Sequence, residues 1–150
     1  MQLSDLATGM GGNVRVLKVS LTYADFNTLS TSSGTAKNLT ISKANGVALS
    51  LLAGSKIIGV ALNPTVAFSG GSISALTLSM ARNGGTPAEL MAAQTIAATT
   101  YYEASVFKSI AHADFGLMVT VTPTSDALSA LTAGAVDLYI YILGVSTPSA

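Results

Sequence analysis

His112 is the only histidine of this 150-residue chain. In His112-Ala113-Asp114, strand alternation would set the imidazole and the carboxylate on one face, the base-and-orienter half of a catalytic triad. The other half is missing, because serine recurs so often that no one hydroxyl is marked out as its nucleophile. Asp114, Asp126 and Asp137 are spaced too widely for a compact calcium loop. Glu89 closes Thr86-Pro87-Ala88-Glu89, a capping box with proline at the first helical position, and so reads as a helix start rather than a general acid. The chain has no cysteine, which removes disulfides, thiolate metal sites and cysteine nucleophiles together. A zinc site lacks ligands. Gly9-Met10-Gly11-Gly12 is too short for a dinucleotide fingerprint and follows no strand, and the P-loop lysine is absent. Neither an enzyme nor a cofactor is expected.

The side chains that remain are suited to packing. Tyr101, Tyr102, Tyr139, Tyr141, Leu143 and Met10 are the candidate subunit-contact residues. Tyr101-Tyr102 could stack on a sugar ring, but a core or interface pair is the better reading. Charged residues make up 9% of the chain and the net charge is zero, against about 25% charged in an ordinary soluble domain. The basic field needed for a phosphate backbone is missing, so no nucleic acid is expected as a partner. Ser and Thr hydroxyls carry most of the polarity, and they cost less to bury than ammonium or carboxylate groups. A homo-oligomer or a larger shell follows as the expected setting. Apolar stretches at 47–68 and 128–143 are interrupted by Lys56, Asn63 and Pro64 and by Asp137, so no membrane span is expected. No basic, then apolar leader opens the chain, and no export signal is read.

These residues need elements to hold them, and the dominant period is two. Residues 1–12 read as a flexible N-terminal arm, 13–146 as one β-sandwich domain and 147–150 as a loose tail. Val14 and Val16 alternate, the phase slips once, and Leu17, Val19, Leu21 and Tyr23 continue, which predicts a β-bulge. Leu39 and Ile41 mark a strand flanked by Lys37 and Lys43, an edge-strand defence. Asn45-Gly46 is a hairpin turn. Ile58, Val60 and Leu62 share a face until Pro64, which requires an edge or a bulge there. Gly70-Gly71 turns the chain into Leu76, Leu78 and Met80. A short helix is expected over about 87–97. Tyr101 to Ile110, then Phe115 to Val121, then Val136 to Leu143 give the last strands. In that final strand Val136, Leu138, Ile140 and Ile142 face one way, while Asp137, Tyr139, Tyr141 and Leu143 face the other. Seven to eight strands with one helix predict an all-β, antiparallel, jelly-roll-like sandwich.

Leu51-Leu52-Ala53-Gly54-Ser55-Lys56-Ile57-Ile58-Gly59-Val60 resembles an element of small structural proteins of tailed bacteriophages. Ala67-Phe68-Ser69-Gly70-Gly71 and Leu76-Thr77-Leu78-Ser79 continue the likeness. Leu131-Thr132-Ala133-Gly134-Ala135-Val136-Asp137-Leu138-Tyr139-Ile140 is similar to their last strand. The likeness spans roughly residues 50–80 and 128–145 and is architectural. It departs where Arg82-Asn83-Gly84-Gly85 leads toward the expected helix instead of a glycine-acid loop. The resemblance implies a jelly-roll cement or decoration protein, often trimeric, made in the host cytoplasm and seated on the capsid surface against the major capsid protein. Relatives in tail and neck fibres imply an alternative, a receptor- or glycan-binding head with amide side chains such as Asn27 and Asn83 on its end loops.

Overall fold

A computed structural model describes residues 12–110 and 116–145. Residues 1–11 of the expected arm, the tail, Met10 and the His112/Asp114 pair lie outside the described residues, while Gly12 opens the first strand. Eight strands form two four-stranded antiparallel sheets. The first carries β1 (Gly12–Thr22), β10 (Ala133–Val145), β5 (Lys56–Ser69) and β8 (Tyr102–Ser109), in that order. The second carries β2 (Lys37–Ile41), β9 (Leu117–Thr124), β6 (Ala75–Arg82) and β7 (Met91–Thr95). A small hairpin, β3 (Lys43–Ala44) with β4 (Val47–Ala48), stands apart. Strands consecutive in the chain alternate between the two sheets except β6 and β7, which pair within the second, as in a jelly roll. We call the two sheets A and B.

The core is the period-two pattern made solid. Leu17, Val19, Leu21, Val60, Leu62, Leu138, Ile140 and Ile142 of sheet A meet Leu76, Leu78, Met80, Leu117, Val119 and Val121 of sheet B, all buried. Phe26 and Phe68 pack with ring centroids 5.3 Å apart at one end. Phe26 lies on α1 (Tyr23–Asn27), where Thr22 and Asp25 form the chain's working capping box. Tyr23 therefore opens a helix rather than ending a strand.

Three expectations need correction. No helix spans 87–97. The chain turns through Thr86–Leu90 and enters β7, which pairs with β6 at Thr77–Thr95. Ala88 has φ +61°, which breaks any right-handed helix there. Leu90, Met91 and Ile96 are buried while Ala92 and Ala93 are exposed. Core burial of those three apolar side chains outweighs the modest helix preference of the alanines.

Glu89 consequently caps nothing. Its carboxylate pairs with the Arg82 guanidinium, whose Nη2 donates to Oε2 at 3.0 Å, while Nη1 donates to the Ser109 carbonyl at 2.8 Å. The Arg82 hydrogen bond holds the Glu89 carboxyl below its ordinary value of 4.5. The unfolded chain thus binds a proton more readily than the folded one as pH falls. The pair's contribution is complete above pH 4.5 and is lost as pH drops through the lowered folded value. Glu89→Gln is expected to cost about 2 kcal/mol or more at neutral pH, since the guanidinium loses its partner. It should also flatten the acid limb of stability, which urea titrations from pH 7 to pH 3 would read out.

The bulge predicted in β1 is absent. β1 pairs with β10 at eleven consecutive positions, Gly12–Val145 to Thr22–Ala135, without a register shift. Leu17, Val19 and Leu21 point inward, and Val14 and Val16 fall on the outer face. The apparent slip of phase marks apolar residues on both faces of one regular strand.

Pro64 behaves as its chemistry requires. β8 stops pairing with β5 at Leu62–Tyr102, short of Pro64, and the register against β10 shifts between Ala135–Val66 and Val136–Pro64. β2, with Lys37, is an edge strand of sheet B.

Candidate functional site

The predicted contact residues are divided by strand alternation. On β8, Tyr102, Ala104 and Val106 turn inward and pack against the core. Tyr102 therefore leaves the candidate face. Tyr101, Glu103, Ser105 and Phe107 turn outward. Tyr139, Tyr141 and Leu143 alternate with buried Leu138, Ile140 and Ile142 on β10 and so lie on the same outer face.

The registers assemble these into rows across sheet A. One row runs Val16, Tyr141, Gly59, Ser105, and the next runs Lys18, Tyr139, Ala61, Glu103. Val14 pairs with Leu143 beyond the first. Gly59 explains how Tyr141 lies down: a Cβ there would sit 3.6 Å from the tyrosine Cδ2, so the ring covers the glycine and shields its backbone. A shallow depression of about 420 Å³ beside it is lined by Ile58, Gly59, Val60, Glu103, Ala104, Ser105 and Tyr141. Val16 is 48% exposed, Tyr101 49% and Phe107 69%. Among the described residues nothing covers this face.

Its few charges are largely tied down. Lys18 Nζ sits 3.1 Å from Asp137 Oδ2 and 6.0 Å from the Tyr139 ring centre. Ser20 donates to the second Asp137 oxygen at 2.7 Å. The Lys56 ammonium lies 5.8 Å from the Phe107 ring centre. The Tyr101 hydroxyl donates to Glu103 Oε2 at 3.3 Å. Partial burial, then Tyr141, then Glu103 push the Tyr101 phenol up to about 12. It stays neutral at any physiological pH.

The outer face of sheet B has another character. Thr77, Thr95 and Thr122 lie in one row, and Asn38, Thr120 and Ser79 in another. Thr120 Oγ1 donates to Asn38 Oδ1 at 2.8 Å. The sandwich thus shows one aromatic-aliphatic face and one hydroxyl face.

Asp126, Asp137 and Glu89 are engaged in architecture. Asp126 accepts from the main-chain N–H of Ser72 and of Ala127, both at 2.8 Å, joining two loops at one end of the sandwich. Among the described residues no group of three His, Asp, Glu or Cys side chains could hold a metal ion. Asn27 is turned inward, its Nδ2 donating to the Leu131 carbonyl at 3.2 Å, whereas Asn83 is exposed. Val16 and Phe107 are the interface candidates that sequence reasoning missed. The signal was there for Val16, as an apolar residue out of phase with the core set.

No protein-family model matches the chain, and no curated protein matches it in sequence. In fold it is similar to a chain in the capsid asymmetric unit of the cyanophage Pam1. That alignment has TM-score 0.54 at 16% identity, over 90% of this chain and 87% of that one. Two structures of Israeli acute paralysis virus align at lower scores. A chain of the full particle gives TM-score 0.35 at 10% identity, over 95% of this chain and 78% of that one. A chain of the pentamer gives 0.39 at 10%, over 99% and 77%. At these identities the likeness is one of fold, and the two lower scores add nothing to it.

Proposed function

We propose that this chain is a virion structural protein that works by packing the outer face of sheet A against neighbouring subunits. The observation that carries the reading is that face itself. Val16, Tyr101 and Phe107 are exposed on the same sheet face as half-buried Tyr139 and Tyr141, where Lys18 is paired with Asp137, and clustered exposed apolar side chains mark protein-contact surfaces. Tyrosine-rich patches with little free charge match the composition of buried interface cores. The jelly-roll architecture recurs in viral shells, and the Pam1 likeness is consistent with that use.

Within that role the chain acts as a cement or decoration protein on the capsid surface, forming a homo-oligomer, a trimer by preference, between major capsid subunits. The mechanism is mechanical. An interface that exists only in the assembled shell stabilises the shell by mass action. The hydroxyl face of sheet B is left for solvent or for a more polar contact.

Val16→Asp and Phe107→Asp test this reading, because each places a charge on the face at an exposed position and leaves the core intact. Each variant is expected to unfold within about 1 kcal/mol of the parent. Each should also weaken self-association, followed by light scattering, and co-sedimentation with purified shells at least tenfold. A parent chain that stays monomeric and ignores the shells, or variants that bind as the parent does, would sink the proposal.

A further inference from the structure

Sheet A has two edges, and they are not alike. The free edge of β1 is occupied at its centre by the turn of the β3–β4 hairpin. Asn45 and Gly46 have φ +51° and +76°, the left-handed pair that a tight two-residue hairpin turn requires. The turn is thereby aimed so that one residue meets three main-chain groups of β1. The Lys18 N–H donates to Asn45 Oδ1 at 3.0 Å. The Asn45 N–H donates to the Lys18 carbonyl at 3.1 Å. Asn45 Nδ2 donates to the Val16 carbonyl at 3.3 Å. In donor and acceptor order this is what a neighbouring strand would supply, delivered by a single side chain and its own amide. On the same side of β1, the N–H of Val16 and both main-chain groups of Val14 make no hydrogen bond among the described residues.

We infer that Asn45 holds the hairpin turn against the β1 edge and so seals it, and that once its side chain is removed the turn gives way to a second copy of the chain, added as an antiparallel strand. An open edge with an apolar flank is a template for strand pairing. Two copies of one edge are complementary to each other about a two-fold axis. A register placing Val16 opposite Val16 sets Val14 against Lys18, which keeps the two lysines from facing each other. The inference concerns the edge of the sheet and does not rest on the packing face proposed above.

Asn45→Gly is the test. Glycine keeps the turn's own conformation but deletes both side-chain contacts, leaving a single main-chain bond to hold it against β1. In dilute solution the Lys18 amide should exchange with solvent at least about tenfold faster, and at higher concentration light scattering should show growth in mass beyond the parent's. Adding Val16→Pro removes an outward N–H without touching the β10 ladder; it should return the mass to the parent's while Lys18 exchange stays fast. Asn45→Asp keeps the acceptor for Lys18 but loses the donor to Val16, and should fall between parent and Asn45→Gly even if the latter folds poorly. Unchanged Lys18 exchange, unchanged mass, or growth that survives Val16→Pro would each overturn the inference.

Discussion

Gly134→Ala is expected to lower the unfolding free energy by at least about 3 kcal/mol, as overpacking and a forbidden backbone conformation add. Gly134 has φ +139°, and a Cβ built on it would overlap Cγ and Cδ1 of Phe68. That ring has nowhere to go. It is 2% exposed and packs against Phe26, which is fully buried. Gly34→Ala is the control, since Gly34 also has positive φ, at +68°, but nothing lies within 4 Å of its added Cβ. It should cost only about 1 kcal/mol, the left-handed penalty alone. Urea unfolding of the three proteins decides the matter: equal losses at the two positions would mean that the Phe68 contact is not what the glycine serves.

Removing the ring from the other side should be as costly. Phe68→Ala is expected to lose about 4 kcal/mol, the usual cost of deleting a buried phenylalanine and leaving a cavity, including its aromatic contact with Phe26. The two changes should not add. Once the ring is gone, an alanine at 134 meets only its own backbone strain, so the double variant should be at least about 1 kcal/mol more stable than the sum of the single losses implies. Additive losses in this cycle would show that the two positions do not press on one another.

Much of the fold was legible because two faces of each strand differ. The inward sets on β6, β9 and β10 read directly from Leu76 to Met80, Leu117 to Val121 and Val136 to Ile142, and each is buried as expected. The Asn45-Gly46 and Gly70-Gly71 turns and the constraint at Pro64 were legible for the same reason, that backbone chemistry at those residues admits few conformations. The segment after Gly85 misled because its cues were local. Thr86, Pro87 and Glu89 sit at capping-box spacing, but the partner that claims Glu89 is Arg82, on the preceding strand, and spacing carries no information about it. The packing face was half legible. Tyr139 and Tyr141 stood out against a charged expectation, whereas Val14 and Val16 were absorbed into a supposed bulge. An apolar residue on the wrong phase of a regular strand can mean a second buried surface instead of an irregularity. Tyr101 and Tyr102, adjacent in sequence, part company because alternation sends consecutive side chains to opposite faces.

The eleven-position ladder between β1 and β10 joins the first described strand to the last. Sheet A therefore cannot close during synthesis until β10 has left the ribosome, and β1 must wait for a partner more than a hundred residues downstream. Topologies with such distant pairings gather slowly, on millisecond to second scales. Nascent chains would then hold their aromatic face unfinished until β10 emerges, so that any docking competence arrives only after that strand. The order of events, last strand first and attachment second, is written into which strands lie side by side.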